Sequence, residues 1–203
     1  MFRRTIVILA NSIKHKKHCV AGKCVSTKKW IRPVSDETGG ALSRSQVAYQ
    51  NPYGIFIAKP LQKISIGLLR QVPLLHQPEN YLIDNSVWTQ NFNIPYTGLS
   101  QFLDNPSDLW GTSDRVEYLS IDYGLVQIIQ SLYLVVVNNL VFYKNINNKR
   151  RASFTYKENI YDLAVTDPNF DSHENNQYRS KVICVSLGSV YKGFCYKLVV
   201  AIF

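Results

Sequence analysis

Apolar residues in this chain come in short runs, rich in Val, Ile and Tyr and bounded by Gly, Asn, Pro or Ser. That pattern marks β-strands, because a helix would need a longer stretch with a period near 3.6. Strands are predicted at 5–10, 19–26, 30–34, 55–58 and 63–69. A second set is predicted at 131–137, 140–144, 152–156, 160–165, 180–186 and 196–202. Asn138-Asn139 and residues 157–159 have the length and chemistry of hairpin loops, so the second half reads as a β-meander. Residues 72–125 mix Pro, Asn, Asp and scattered aromatics without a period, and predict mostly loop with one short helix near 98–103. The fold class is therefore all-β with minor α. Two groups of short strands, each too small for a large sandwich, imply two small barrels packed together, at 1–90 and 126–203, connected through 91–125. A single β-sandwich is the competing architecture.

Composition adds a compartment and a partner class. With 46% hydrophobic and 18% charged residues over 203 positions, the chain can bury real cores and is too apolar for disorder. Four cysteines are too few for a disulfide scaffold, and the opening residues lack the apolar core of a secretory signal. The run 132–137 is far short of the roughly 20 residues that cross a bilayer. A cytoplasmic protein with reduced thiols and no membrane partner is expected. The 23 basic against 14 acidic residues give +9, which favours a polyanion such as nucleic acid. Residues 1–35 hold nine basic and no acidic side chains, 36–142 hold five and nine, and 143–203 hold nine and five. If the two ends meet, they form one positive face.

Several segments carry candidate chemistry. Lys14, Lys16 and Lys17 lie in a basic hairpin tip reaching His18, suited to phosphate contact through counterion release. His15, His18, Cys19 and Cys24 hold the atom types for zinc but lack paired metal-ligand spacing, so no metal is assigned, and Cys19 reads as a small buried strand residue. In the segment 30–35, Trp30 can stack a base while Arg32 holds a phosphate; equally, Trp30 can cap a barrel end with Arg32 paired to a carboxylate from the acidic middle. His76, Gln77, Glu79 and Asn80 concentrate polar groups in a loop, where His76 can act as a base with Glu79 as its partner, or where the set can hold the loop by hydrogen bonds. Arg150 and Arg151 precede Phe154 and Tyr156, a basic patch beside aromatics whose place is the core. Asp167, before Pro168, reads as a turn or helix cap in preference to a metal ligand with Asp162. Phosphate-loop, dinucleotide, nucleophile-elbow and zincin signatures are all absent, and no cofactor is implied.

Read together, IVILANS at 6–12, CVAG at 19–22, WIRPVS at 30–35, HQPEN at 76–80, LAVTDP at 163–168, VSLG at 185–188 and CYKL at 195–198 resemble the dual OB-containing domain family of small prokaryotic proteins. The chain departs from the pattern at 15–18 and at Cys24. The resemblance implies two OB-like barrels, a fold that commonly binds single-stranded nucleic acid on one strand face and its flanking loops. The favoured reading is a non-enzymatic nucleic-acid-binding module, with Lys14, Lys16, Lys17, Arg150 and Arg151 on phosphates, Arg32 fixing register and Trp30 stacking. The alternatives are an enzyme or sensor for a nucleotide or modified base at Arg32, His76 and Glu79, with Gln77, Asn80 and Asp167 as further polar candidates, and a subunit that docks on an acidic protein.

Overall fold

The computed structural model describes residues 1–14 and 16–203, with the side chain of Lys14 also outside the description. It divides into two units, Met1–Phe102 and Leu103–Phe203. Residues 91–125, set apart by composition, are shared between them.

The first unit contains β1 (Phe2–Lys14), β2 (Lys17–Cys24), β3 (Trp30–Val34), β4 (Ala48–Asn51), β5 (Gly54–Ile57), β6 (Gln62–Gln71), β7 (Asn80–Ile83) and β8 (Trp88–Asn93), then a 3-10 helix at Tyr96–Phe102. Five of these strands close a ring in the order β1-β2-β3-β7-β6-β1, with β3 and β7 parallel and β1 and β6 antiparallel. From β6 the sheet continues outward through β8 and β4 to an edge at β5. Ile6, Ile8, Val20, Ile31, Ile64 and Ile66 fill the ring, with Trp88 of β8 against them. Branched side chains suit this pleated, doubly covered surface. Gly22 is required where β1 and β2 shift register, since a Cβ there would stand 2.2 Å from the Val7 carbonyl oxygen.

The second unit contains β9 (Arg115–Glu117), the short helix α1 (Tyr118–Asp122), β10 (Leu132–Lys144), β11 (Arg150–Tyr156), β12 (Asn159–Val165), a 3-10 helix at Pro168–Ser172, β13 (Gln177–Tyr191) and β14 (Phe194–Ile202). Its ring is β10-β11-β12-β14-β13-β10, with β12 and β14 parallel. Strand for strand this is the connectivity of the first ring. Closure of both rings excludes the single sandwich. Phe154 and Tyr156 face the core, as period two requires.

One predicted turn is a bulge. Asn138 and Asn139 do not end a hairpin; β10 runs through them, and its pairing with β11 shifts between Asn138 and Val141 while pairing with β13 continues on the other side. Asn139 has φ 51, a left-handed conformation that asparagine tolerates in bulges as it does in turns. The bend lets one strand serve both neighbours in a closed ring. The turn at 157–158 is a true hairpin, with Lys157 at φ 53. No helix among the described residues is long and apolar enough to cross a membrane.

Lys197 on β14 is 1% exposed. Its ammonium donates to the carbonyls of Gly111 (2.7 Å) and Ser113 (2.5 Å), tying the loop before β9 to the barrel. Burial pulls its pKa down to about 8, against the opposing pull of Asp108 and Asp114. Between that value and the 10.5 of the unfolded side chain, the unfolded chain binds more protons. Stability of the second unit therefore rises as pH increases from 8 towards 10, by at most about 1.4 kcal/mol per pH unit, and urea titrations should lose this rise in Lys197→Met. In the first unit, Gly22→Ala should cost about 3 kcal/mol because a backbone atom must move. Gly193→Ala, at φ +81 with nothing within 4 Å of the added methyl, should cost about 1 kcal/mol in the same assay.

Candidate functional site

Charge is segregated by unit. Met1–Phe102 holds 13 of the basic and four of the acidic residues, whereas Leu103–Phe203 holds ten of each. The whole net charge of +9 belongs to the first unit.

In a barrel of this connectivity the second and third strands usually offer the ligand face. In the first unit that face is covered. Trp30 is 5% exposed, and Lys23 beside it donates to the Phe102 carbonyl at 2.7 Å with its ammonium 5.2 Å from the indole centroid. Trp30 therefore offers no stacking surface, which corrects the sequence expectation; its ring is large enough that burial outweighs display. Arg32 is corrected likewise. Its side chain is 11% exposed and pairs with Glu79 Oε1 at 3.2 Å, so it fixes no phosphate register. Parallel pairing of β3 with β7 places Arg32 beside Asn80, and hence next to Glu79.

The β6–β7 connection brings His76, Gln77, Glu79 and Asn80 together around Arg32, all of them buried. Reciprocal backbone bonds between Leu74 and Gln77 and one from Val72 to Asn80 shape it. Burial and the Arg32 charge lower the His76 pKa, partly countered by Glu79, so its imidazole is neutral at pH 7. Neither end of the Asn80 carboxamide has a hydrogen-bond partner, although the residue is fully buried. Gly39, at φ +83, lies against it; a Cβ there would stand 3.1 Å from Asn80 Nδ2. Neither cavity described below reaches this cluster. Asp167 belongs to the other unit and to a different task. It caps the 3-10 helix Pro168–Ser172, accepting from Asn169 N and from Ile202 N, each at 2.7 Å. Burial raises its pKa against those two bonds.

At the β1–β2 tip, Lys16 and Lys17 are exposed, while His15 and the Lys14 side chain lie outside the described residues. His18 is buried and not part of a solvated tip: its Nδ1 is 2.8 Å from Asn11 Oδ1 and its backbone pairs with Leu42. Cys19 is half-buried. Among the described residues no three His, Cys, Asp or Glu side chains converge. In the second unit, Arg150 pairs with Asp171 (2.8 Å) and Arg151 with Asp162 (2.9 Å), and Lys144 with Glu174 (2.6 Å). The expected basic patch is thus balanced by carboxylates.

Two depressions in the first unit were not anticipated. A groove of about 1300 Å³ is lined by Arg44, Tyr49, Ile55, Phe56, Lys59 and Val87 among others. A smaller pocket of about 350 Å³ includes Lys28, Lys63, Phe92 and Phe102. No Asp or Glu lines either. The sequence signal was an absence: no acidic residue occurs from 38 to 78, a stretch holding Arg44, Lys59, Lys63 and Arg70.

Two closed five-strand rings, each with the strand order of an oligonucleotide/oligosaccharide-binding barrel, define the class of protein. The chain belongs to the Dual OB-containing domain family, whose model matches residues 4–202. No curated protein sequence matches it. Solved structures similar to it include a tetrameric HIN2 structure, at 8% identity and a TM-score of 0.34, covering 100% of this chain and 92% of that one. Another is a murine DNA-binding protein bound to double-stranded DNA, at 10% identity and a TM-score of 0.39, covering 100% and 97%.

Glu79→Gln should destabilise the first unit by about 3 kcal/mol, because it leaves the Arg32 charge buried beside a neutral amide. The double variant Arg32→Met with Glu79→Gln should recover at least half of that loss in urea unfolding. A loss under about 1 kcal/mol for the single variant contradicts a structural role for the pair.

Proposed function

We propose that this protein is a non-enzymatic, cytoplasmic nucleic-acid-binding module, and that its first unit holds single-stranded nucleic acid in the groove bordered by Arg44, Phe56 and Lys59. The observation that carries the reading is the confinement of all net positive charge to one OB barrel, in which the groove of about 1300 Å³ has no carboxylate in its wall. Cations there neutralise phosphates and release counterions, and a half-exposed Phe56 with Ile55 beside it offers apolar surface to unstacked bases. Duplex DNA hides its base faces and gains nothing from such a wall. Lys16 and Lys17 extend the positive field along the same unit. Arg150 and Arg151 take a lesser part, since each already faces a carboxylate. Free thiols at Cys19, Cys24, Cys184 and Cys195 support a reducing compartment. An enzyme or sensor centred on Arg32, His76 and Glu79 has less support, because that cluster is buried and tied up in closing the barrel.

Fluorescence anisotropy with single-stranded DNA, single-stranded RNA and duplex of equal length tests this. Single strands should bind about tenfold more tightly than duplex, and affinity should fall steeply from about 50 to about 200 mM salt. Arg44→Gln with Lys59→Gln should weaken single-strand binding about tenfold and reduce the salt slope by between about one and two. Equal binding of all three ligands, or binding lost in Arg150→Gln with Arg151→Gln but unchanged in the first double variant, overturns the assignment.

A further inference from the structure

The smaller pocket is built from four separate elements of the first unit. The turn after β2 supplies Lys28, held at φ 59 by bonds from Lys28 N to the Cys24 carbonyl and from Cys24 N to the Lys29 carbonyl, both 2.9 Å. β6 supplies Lys63, paired in register with Phe92 of β8. The 3-10 helix Tyr96–Phe102 supplies Phe102, Thr97 and Gln101. Each lysine lies over a ring: Lys28 Nζ is 4.1 Å from the Phe102 centroid and Lys63 Nζ is 4.0 Å from that of Phe92. Neither ammonium is paired with a carboxylate among the described residues, and none lines the pocket.

Two features of this arrangement would favour a ligand of mixed character. Phe92 leaves 56% of its surface in water, at a hydrophobic cost that a covering planar group would relieve. Two cations line one cavity whose wall holds no carboxylate, so an anion entering it would be attracted by both. A ligand that answers both is a planar aromatic joined to a dianion. The volume, about 350 Å³, lies at the low end of the ~300–1000 Å³ of small-molecule sites, which suits one nucleotide and not a run of them.

We propose that the pocket bounded by Lys28, Lys63, Phe92 and Phe102 binds a single nucleotide unit, its base covering Phe92 and its phosphate held by the two lysines. Thr97, Gln101 and Asn93 supply hydrogen-bonding groups at the rim. The site rests on the nucleic-acid reading only for the source of its ligand, which is either a free mononucleotide or the phosphorylated end of a strand lying in the groove.

Isothermal titration calorimetry on the full chain, with adenosine monophosphate, adenosine, inorganic phosphate, and a short single strand with and without a 5′-phosphate, separates these cases. The monophosphate should bind saturably, and adenosine or phosphate alone about tenfold more weakly. Lys28→Gln with Lys63→Gln should weaken the monophosphate about tenfold, and Phe92→Ala about fivefold. All three positions reach the surface, so a thermal midpoint close to that of the parent shows that the variants fold. A 5′-phosphorylated strand binding more tightly than its unphosphorylated form assigns the pocket to strand ends; equal binding of the two strands with saturable monophosphate binding assigns it to free nucleotides. Absence of saturable binding by any phosphorylated ligand, or monophosphate binding unchanged in the double lysine variant, overturns the proposal. Groove variants that lose strand binding but keep the monophosphate leave this site standing, and the converse result leaves the groove.

Discussion

Each ring is shut by a short parallel pairing, between β3 and β7 in the first unit and between β12 and β14 in the second. The first spans Arg32–Asn80 to Val34–Leu82, and the second joins Ala164 to Leu198 and Val165 to Val199. Without this seam, ten strands would form two open sheets with exposed edges. So short a pairing cannot rely on ladder hydrogen bonds alone, and in both units a buried polar side chain fastens the chain just beside it. In the first, Glu79 precedes β7 and pairs with Arg32 of β3. In the second, Asp167 follows β12 and accepts the backbone N–H of Ile202 at the end of β14.

That shared constraint explains why the most chemically suggestive motifs are not exposed. The tryptophan–arginine segment, the histidine–glutamate loop and the Thr-Asp-Pro turn all lie at the two seams, where polar groups must be buried and therefore matched. The Asn80 carboxamide, fully buried with both ends unmatched and a glycine against it, is an exception, and the Thr166 hydroxyl beside the second seam is another. An unmatched buried amide costs on the order of 1–3 kcal/mol.

The fold was largely legible in the sequence because closed barrels demand short, branched, alternating runs, and the chain writes them plainly in β1, β6, β11 and β13. Asn138-Asn139 was misread because a bulge and a turn ask for the same residue, one that accepts positive φ; only the unbroken partner on the far side tells them apart. β7 and β8 were hidden because Asn80–Ile83 and Trp88–Asn93 are short and do not alternate cleanly, with Asn80 buried and Phe92 exposed, so their pairing depends on neighbours already in place. The site was less legible still. Trp30 and Arg32 invite a functional reading by residue type, yet Arg32 is held by Glu79, 47 positions away, and Trp30 is buried beside Lys23, which is itself tied to the Phe102 carbonyl. Lys63 and Phe92 meet only because β6 and β8 pair, and no local pattern announces that.

The two barrels share a connectivity and differ in electrostatics, and the difference has little to do with stability. Exposed ion pairs such as Arg150–Asp171 contribute at most about 1 kcal/mol each, so their presence in the second unit hardly strengthens it. Their scarcity in the first unit hardly weakens it. What pairing changes is the field: ten cations matched by ten carboxylates leave no net charge to attract a distant ligand, whereas 13 against four leave a potential that reaches about a Debye length into solution. Because the acid-free stretch 38–78 supplies walls to both depressions, that potential is focused where the surface is concave and apolar. Under the proposed reading a polyanion is drawn to the first barrel by charge and held there by contact, whereas the second barrel, with equal numbers of cations and carboxylates, exerts no net pull on it.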